Sequence, residues 1–123
     1  MKRLLVVDDD MNLLNFFLEE LTRAGFDVSI KDNGADAIIT VVEERFDLVL
    51  LDMLMPGLDG IKVARVLRKV TPNLPILGLT GFIGRGYQAQ AAGLGVRILS
   101  KPIMISDLLT EINQVLDITS PYA

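Results

Sequence analysis

Three aspartates in succession, Asp8, Asp9 and Asp10, close the apolar run Leu4 to Val7, and a fourth, Asp52, closes the run Leu48 to Leu51. Thr80 and Lys101 stand just beyond the ends of two further runs. The chain has no histidine and no cysteine, which excludes a Ser-His-Asp triad, a histidine base, a thiol nucleophile and any metal held by His or Cys. Chemistry here must run on carboxylates, hydroxyls, lysine or backbone. Three carboxylates drawn within about 4 Å of one another would repel by roughly 4 kcal/mol per pair at an effective dielectric near 20, against a domain stability of about 5–15 kcal/mol. Such a cluster needs a cation, and an all-oxygen, open site matches the hard divalent ion Mg²⁺. Plainer readings exist for each residue. An aspartate run after a strand can be solvated turn residues or helix caps, and Asp10 is read as a cap. Asp52 could end a strand in a turn, Thr80 could be an ordinary strand residue, and Lys101 a surface charge. Their joint placement favours the chemical reading.

The elements that must position these residues follow from periodicity. Leu4–Val7, Val28–Ile30, Leu48–Leu51, Ile76–Leu79 and Val96–Leu99 are short apolar runs bounded by turn residues, which predicts five strands. Between them, apolar residues recur at helical spacing: Leu14, Phe17, Leu18 and Leu21, then Ala37, Ile38, Val41 and Val42, then Ile61, Ala64 and Leu67. Leu108, Leu109, Ile112, Val115 and Leu116 form the clearest stripe. Asp10 and Asn33 suit helix N-caps, and Gly25 suits the turn out of the first helix. Glycines 84, 86, 93 and 95 surround Tyr87–Ala92 and predict a fourth helix that is short, poorly capped or mobile. Strict alternation of strand and helix implies right-handed crossovers and a doubly wound α/β sandwich, with ligands at the carboxyl ends of the strands.

Composition narrows the function further. The 123 residues suit one domain, expected over 1–118, with 119–123 as a flexible tail or the start of a linker. Twelve Lys and Arg against 16 Asp and Glu give a net charge of −4, which argues against direct nucleic-acid binding. The apolar run after Met1-Lys2-Arg3 stops at Asp8, too short for a secretory leader, and no stretch reaches membrane-spanning length. A cysteine-free chain suits a reducing compartment, so a cytoplasmic location is expected. Half of the residues are hydrophobic, as strands buried on both faces require.

Four ordered motifs carry a resemblance. Leu5-Val6-Val7-Asp8-Asp9-Asp10, Asp47 through Asp52 to Met55-Pro56-Gly57-Leu58-Asp59-Gly60, Leu79-Thr80-Gly81 and Leu99-Ser100-Lys101-Pro102 together resemble the receiver domain of bacterial two-component response regulators. The likeness spans residue 4 to about 117. It implies a flavodoxin-like five-stranded parallel sheet in the order 2-1-3-4-5. It also implies that Asp52 is the phosphoacceptor, taking a phosphoryl group from a sensor histidine kinase or a histidine phosphotransfer protein. By the same likeness Asp9 and Asp52 hold Mg²⁺ directly, Asp8 helps through water, and the Leu54 backbone carbonyl completes the set. Lys101, the Thr80 hydroxyl and the backbone of Gly81 and Leu54 are then expected to bind the phosphoryl group, and Pro102 to follow a cis peptide bond. Output is expected through Thr80 and the face of the fourth helix and fifth strand. The high apolar content also suits a dimer through the fourth helix, fifth strand and fifth helix on phosphorylation, although strands buried on both faces explain that content equally well.

Some positions depart from the family pattern. Ile98 stands where many members carry an aromatic ring that rotates with the threonine. Gly81 replaces a commoner alanine and Ile103 a frequent phenylalanine, and the Thr80–Lys101 interval is about one residue short. Leu54 and Phe82 are apolar along the family's path of attacking water, so slow hydrolysis of the aspartyl phosphate is expected. Met53, Leu54 and Met55 either close the core or offer a partner surface. Phe17 is expected inward and Phe16 outward, towards the kinase. Two other readings are a degenerate receiver that binds proteins constitutively and a phosphate-transferring hydrolase with Asp52 as nucleophile. The second lacks an acid two residues after Asp52, where Leu54 stands.

Overall fold

Runs without a polar residue become the central strands of one parallel sheet. A computed structural model describes residues 1–55, 59–81 and 85–117, with the side chains of 85–87 outside the description. The strands are β1 (Arg3–Val7), β2 (Asp27–Lys31), β3 (Leu48–Asp52), β4 (Ile76–Thr80) and β5 (Val96–Ser100), ordered β2-β1-β3-β4-β5. Every residue of β3 and β4 is buried, as expected of strands covered on both faces. The strands run a residue beyond the expected apolar cores, so Asp52, Thr80 and Ser100 are still in the ladder. The register pairs Val7 with Leu51 and Asp52 with Leu79, which brings the ends of β1, β3 and β4 to one edge.

The helices are α1 (Met11–Arg23), α2 (Gly34–Glu43), α3 (Gly60–Val70), α4 (Arg85–Gly93) and α5 (Ile105–Asp117). On one side of the sheet Leu14, Phe17 and Leu21 of α1 and Leu108, Ile112 and Leu116 of α5 pack against Leu4, Val6, Leu50 and Leu77. On the other, Ala37 and Val41 of α2, Ile61, Ala64 and Leu67 of α3 and Ala91 of α4 pack against Leu5, Val7, Val49 and Leu51. Asp10 caps α1 through bonds from the amides of Asn12 and Leu13, and Asn33 caps α2 through the amide of Asp36. Gly25 turns out of α1 at φ +101°, a conformation that favours glycine.

One expected core position is corrected. Val42 is 62% exposed, because Ala37 and Val41 already fill the inner stripe of α2 and the next residue turns about 100° towards solvent. The glycine-rich fourth segment forms a nine-residue helix, Arg85–Gly93, and leaves it through Gly95 at φ +70°. Gly84, Phe82, Pro56-Gly57-Leu58 and the tail from 118 to 123 lie outside the described residues.

Asp59 caps α3 by accepting from the Ile61 amide at 2.7 Å, and Gly60 then lies against the backbone just after the β3 end. A Cβ at Gly60 would fall 2.5 Å from the Met53 Cα and 2.8 Å from its carbonyl oxygen. Backbone cannot yield as a side-chain tip can. Gly60→Ala is expected to destabilise the fold by about 1–3 kcal/mol, read as a lower urea midpoint. Gly81→Ala, which meets nothing within 4 Å among the described residues, is expected to stay within about 0.5 kcal/mol of the parent. Equal midpoints for the two variants would contradict the close approach at Gly60.

Candidate functional site

Because Val7 and Leu51 are register partners, the next residues, Asp8 and Asp52, emerge side by side at the carboxyl edge. Both are buried, at 1% and 4% exposure, while Asp9 is exposed. One carboxylate oxygen from each of Asp8, Asp9 and Asp52 lies within 4.8 Å of the others. Asp10 is not part of the cluster, since its side chain is used on α1, as expected of a cap.

Lys101 reaches this cluster from the end of β5. Its Nζ donates to Asp8 Oδ2 at 2.9 Å and lies 3.5 Å from Asp52 Oδ2. Its backbone N–H donates to the Thr80 carbonyl at 2.8 Å, and the Lys101–Pro102 peptide is cis. The remaining carboxylate oxygens are held by backbone: Asp8 Oδ1 accepts from the Asp10 amide at 2.9 Å, and Asp52 Oδ1 from the Leu54 amide at 3.1 Å. Thr80 is fully buried at the end of β4, and Gly81 is exposed directly after it.

Burial pushes the Asp52 carboxyl up from 3.8 to about 6, helped by the charges of Asp8 and Asp9 and opposed by the Leu54 N–H and by Lys101. Burial alone would lower the Lys101 pKa, but its hydrogen bond to Asp8 and the charges of Asp52 and Asp8 outweigh it, so Lys101 is raised and cationic at neutral pH. Among the described residues, one ammonium faces three carboxylates. Two buried oxygen donors, a third open to solvent and this excess of negative charge fit a hard divalent cation such as Mg²⁺. A broad concavity at the opposite edge of the sheet, between Phe46, Asp47, Leu74 and Leu116, contains none of these residues.

The other expected positions fall as follows. Met53 and Met55 are buried and close the core, whereas Leu54 between them is half-exposed. Phe17 is buried in the α1–α5 layer and Phe16 is 46% exposed. Ile98 is half-buried beside Gly78. A Cβ at Gly78 would sit 2.8 Å from Ile98 Cδ1 and 2.8 Å from Met53 Cγ, so the missing side chain makes room for Met53 and Ile98 to pack over β4. Sequence reading overlooked this arrangement; a glycine inside an otherwise apolar strand was the available signal.

Comparison with known proteins covers the same stretch of chain. A family model described as response regulator receiver domain matches residues 4–113. The response regulator receiver protein CpdR of Brucella abortus (strain 2308) is 38% identical over 117 residues, covering 94% of this chain and 98% of that protein. The chain spans about half the length of other curated relatives, such as the response regulator MprA of Mycobacterium sp. (strain KMS), where 36% identity covers 97% of this chain and 52% of the relative. Among solved structures, a CheY-like response regulator receiver domain protein from Methanospirillum hungatei JF-1 superposes with a TM-score of 0.95 at 26% identity, covering 100% of this chain and 99% of that one. The response regulator TrrA of Thermotoga maritima, solved in complex with Mg(2+)-BeF, gives a TM-score of 0.83 at 30% identity over 94% of this chain and 99% of that one.

Proposed function

The chain belongs to the response regulator receiver family, and from that premise we propose that it is a phosphorylation switch in which Asp52 accepts a phosphoryl group from phosphohistidine on a sensor kinase or a histidine phosphotransfer protein. The observation that carries this reading is the buried Asp52 carboxylate with Lys101 Nζ 3.5 Å away and two further carboxylates beside it. In the transfer, an Asp52 oxygen forms the new bond to phosphorus in line with the breaking P–N bond. The donor imidazole departs with the electron pair of that bond. The work of the protein is alignment and charge neutralisation, since little other covalent chemistry is required.

Asp9 and Asp52, the backbone carbonyl of Leu54 and, through water, Asp8 would hold Mg²⁺. When bound, the ion supplies positive charge against both the carboxylates and the oxygens of the transferring group. Lys101, already cationic and aimed into the cluster, neutralises the phosphoryl oxygens from the other side. The Thr80 hydroxyl and the Gly81 N–H bind the phosphoryl group once it is on Asp52. Movement of Thr80, with Ile98 and the α4–β5 face, then biases binding to an output partner. A cytoplasmic location accords with these partners.

Phe16, exposed on α1, is the docking residue for the donor. Incubation with a kinase domain carrying labelled phosphohistidine, in Mg²⁺, tests both statements. Label is expected to move to the wild-type chain and not to Asp52→Asn. With Phe16→Ala, the initial rate at subsaturating kinase is expected to fall roughly 5- to 30-fold, with phosphorylation by acetyl phosphate unchanged. Transfer to Asp52→Asn at the wild-type rate would overturn the assignment of the acceptor.

A further inference from the structure

Charge divides unevenly between two neighbouring helices on one side of the sheet. α3 carries Lys62, Arg65, Arg68 and Lys69 and no acid, while α2 carries Asp36 and Glu43 and no base. Arg68 is turned inward to the carbonyls of Leu74, Leu94 and Gly95. Among the described residues, Lys62, Arg65, Lys69 and Glu43 form no ion pair, and Asp36 is held by Asn33 alone. Apolar side chains stand between these charges. Ile39 and Val42 on α2 and Val66 and Val70 on α3 are 38–62% exposed.

The spacing gives these features a partner. Asp36 and Glu43 are seven residues apart, and so are Lys62 and Lys69; each pair spans two helical turns, about 10.5 Å. Both helices bury their opposite stripes in the same core cluster, so their outer stripes share one face of the molecule. As successive crossover helices of a parallel sheet, they also run in the same direction. A two-fold axis lying in this face, parallel to the helices and between them, lays α2 of one copy parallel on α3 of the other. Asp36, third in α2, then meets Lys62, third in α3 of the second copy, Glu43 meets Lys69, and the four aliphatic side chains fill the middle. The axis repeats the same contacts on the other half.

We propose that the α2–α3 face is the contact surface of an isologous homodimer of this chain. A purely acidic partner would suit α3 and be repelled by Asp36 and Glu43. A second copy complements both helices together. Helices of 10 and 11 residues present less than the roughly 800 Å² per partner of a standard interface, so the association is weak, salt-sensitive and concentration-dependent. It is distinct from any contact through α4, β5 and α5.

Sedimentation velocity of the full chain from about 10 µM to about 1 mM tests the proposal, with circular dichroism to check folding. Wild type is expected to self-associate at low salt and to dissociate at high salt. Lys62→Glu with Lys69→Glu, and separately Asp36→Lys with Glu43→Lys, are each expected to weaken self-association by about tenfold or more, since like charges then face each other. An equimolar mixture of the two double variants is expected to regain wild-type association, because each copy then presents one sign to the other. That rescue also rules out misfolding as the cause of the loss. A wild type that stays monomeric throughout, a dimer that survives either double variant, or a mixture that fails to associate would overturn the proposal.

Discussion

Lys101→Ala is expected to slow phosphoryl transfer to Asp52 by at least about 10²-fold, the scale seen when one preorganised electrostatic group is removed from a reacting centre. Among the described residues, Lys101 is the only cation paired with the cluster, 2.9 Å from Asp8 and 3.5 Å from Asp52. Its removal leaves two buried carboxylates and an exposed third with no countercharge among the described residues, and takes a positive charge from the oxygens of the transferring group. Lys101→Arg is not expected to restore the rate, because a planar fork cannot replace a compact ammonium that reaches two carboxylates at once. Single-turnover transfer at saturating Mg²⁺ and donor isolates this effect from binding. A rate within about threefold of wild type for Lys101→Ala would show that the ammonium has no part in the chemistry.

The second large effect is on stability. Asp52→Asn is expected to stabilise the metal-free protein at pH 8 by about 2–3 kcal/mol. The carboxyl sits at about 6 in the folded state against an ordinary 3.8, chiefly because burial disfavours its charge. The native state therefore binds this proton more tightly than the unfolded chain does, and the contribution of Asp52 to stability falls as pH rises from 3.8 to about 6. Above that window the ionised carboxylate costs its full amount, so the gain from asparagine is greatest there. Well below 3.8 the wild-type carboxyl is neutral in both states and the two proteins converge. Chemical denaturation in EDTA from pH 4 to 8 checks the sign and the window. Adding Mg²⁺ is expected to stabilise wild type and narrow the gap, since the ion binds only the folded cluster. An asparagine variant no more stable than wild type at pH 8 would contradict the strained carboxylate.

How much of this could be read from residues alone depended on whether the deciding force was local. Asp8, Asp52, Thr80 and Lys101 were legible because strands buried on both faces read as apolar runs, and the residue that ends each run falls at one edge of a parallel sheet. The caps Asp10 and Asn33 were legible because the interaction spans two or three residues. Val42 was misplaced because its neighbour Val41 completes the inner stripe first, a matter of helix phase and not of residue type. Gly78 went unnoticed because its reason lies across the sheet, in Ile98 and Met53. Arg68 gave no signal because its partners are carbonyls, two of them more than 25 residues away. The opposed charges of α2 and α3 were visible only as part of a net −4 until the fold set the helices side by side.

The central claim, that Asp52 is the phosphoacceptor of a Mg²⁺-dependent switch, is tested most directly by intact-mass spectrometry after incubation with acetyl phosphate. The account predicts a single phosphoryl adduct that appears only with Mg²⁺, is labile in base, maps to Asp52 and is absent from Asp52→Asn. An adduct of the same extent on folded Asp52→Asn, or none on folded wild type with Mg²⁺ and donor in excess, would contradict it and favour a domain that binds its partners without phosphorylation.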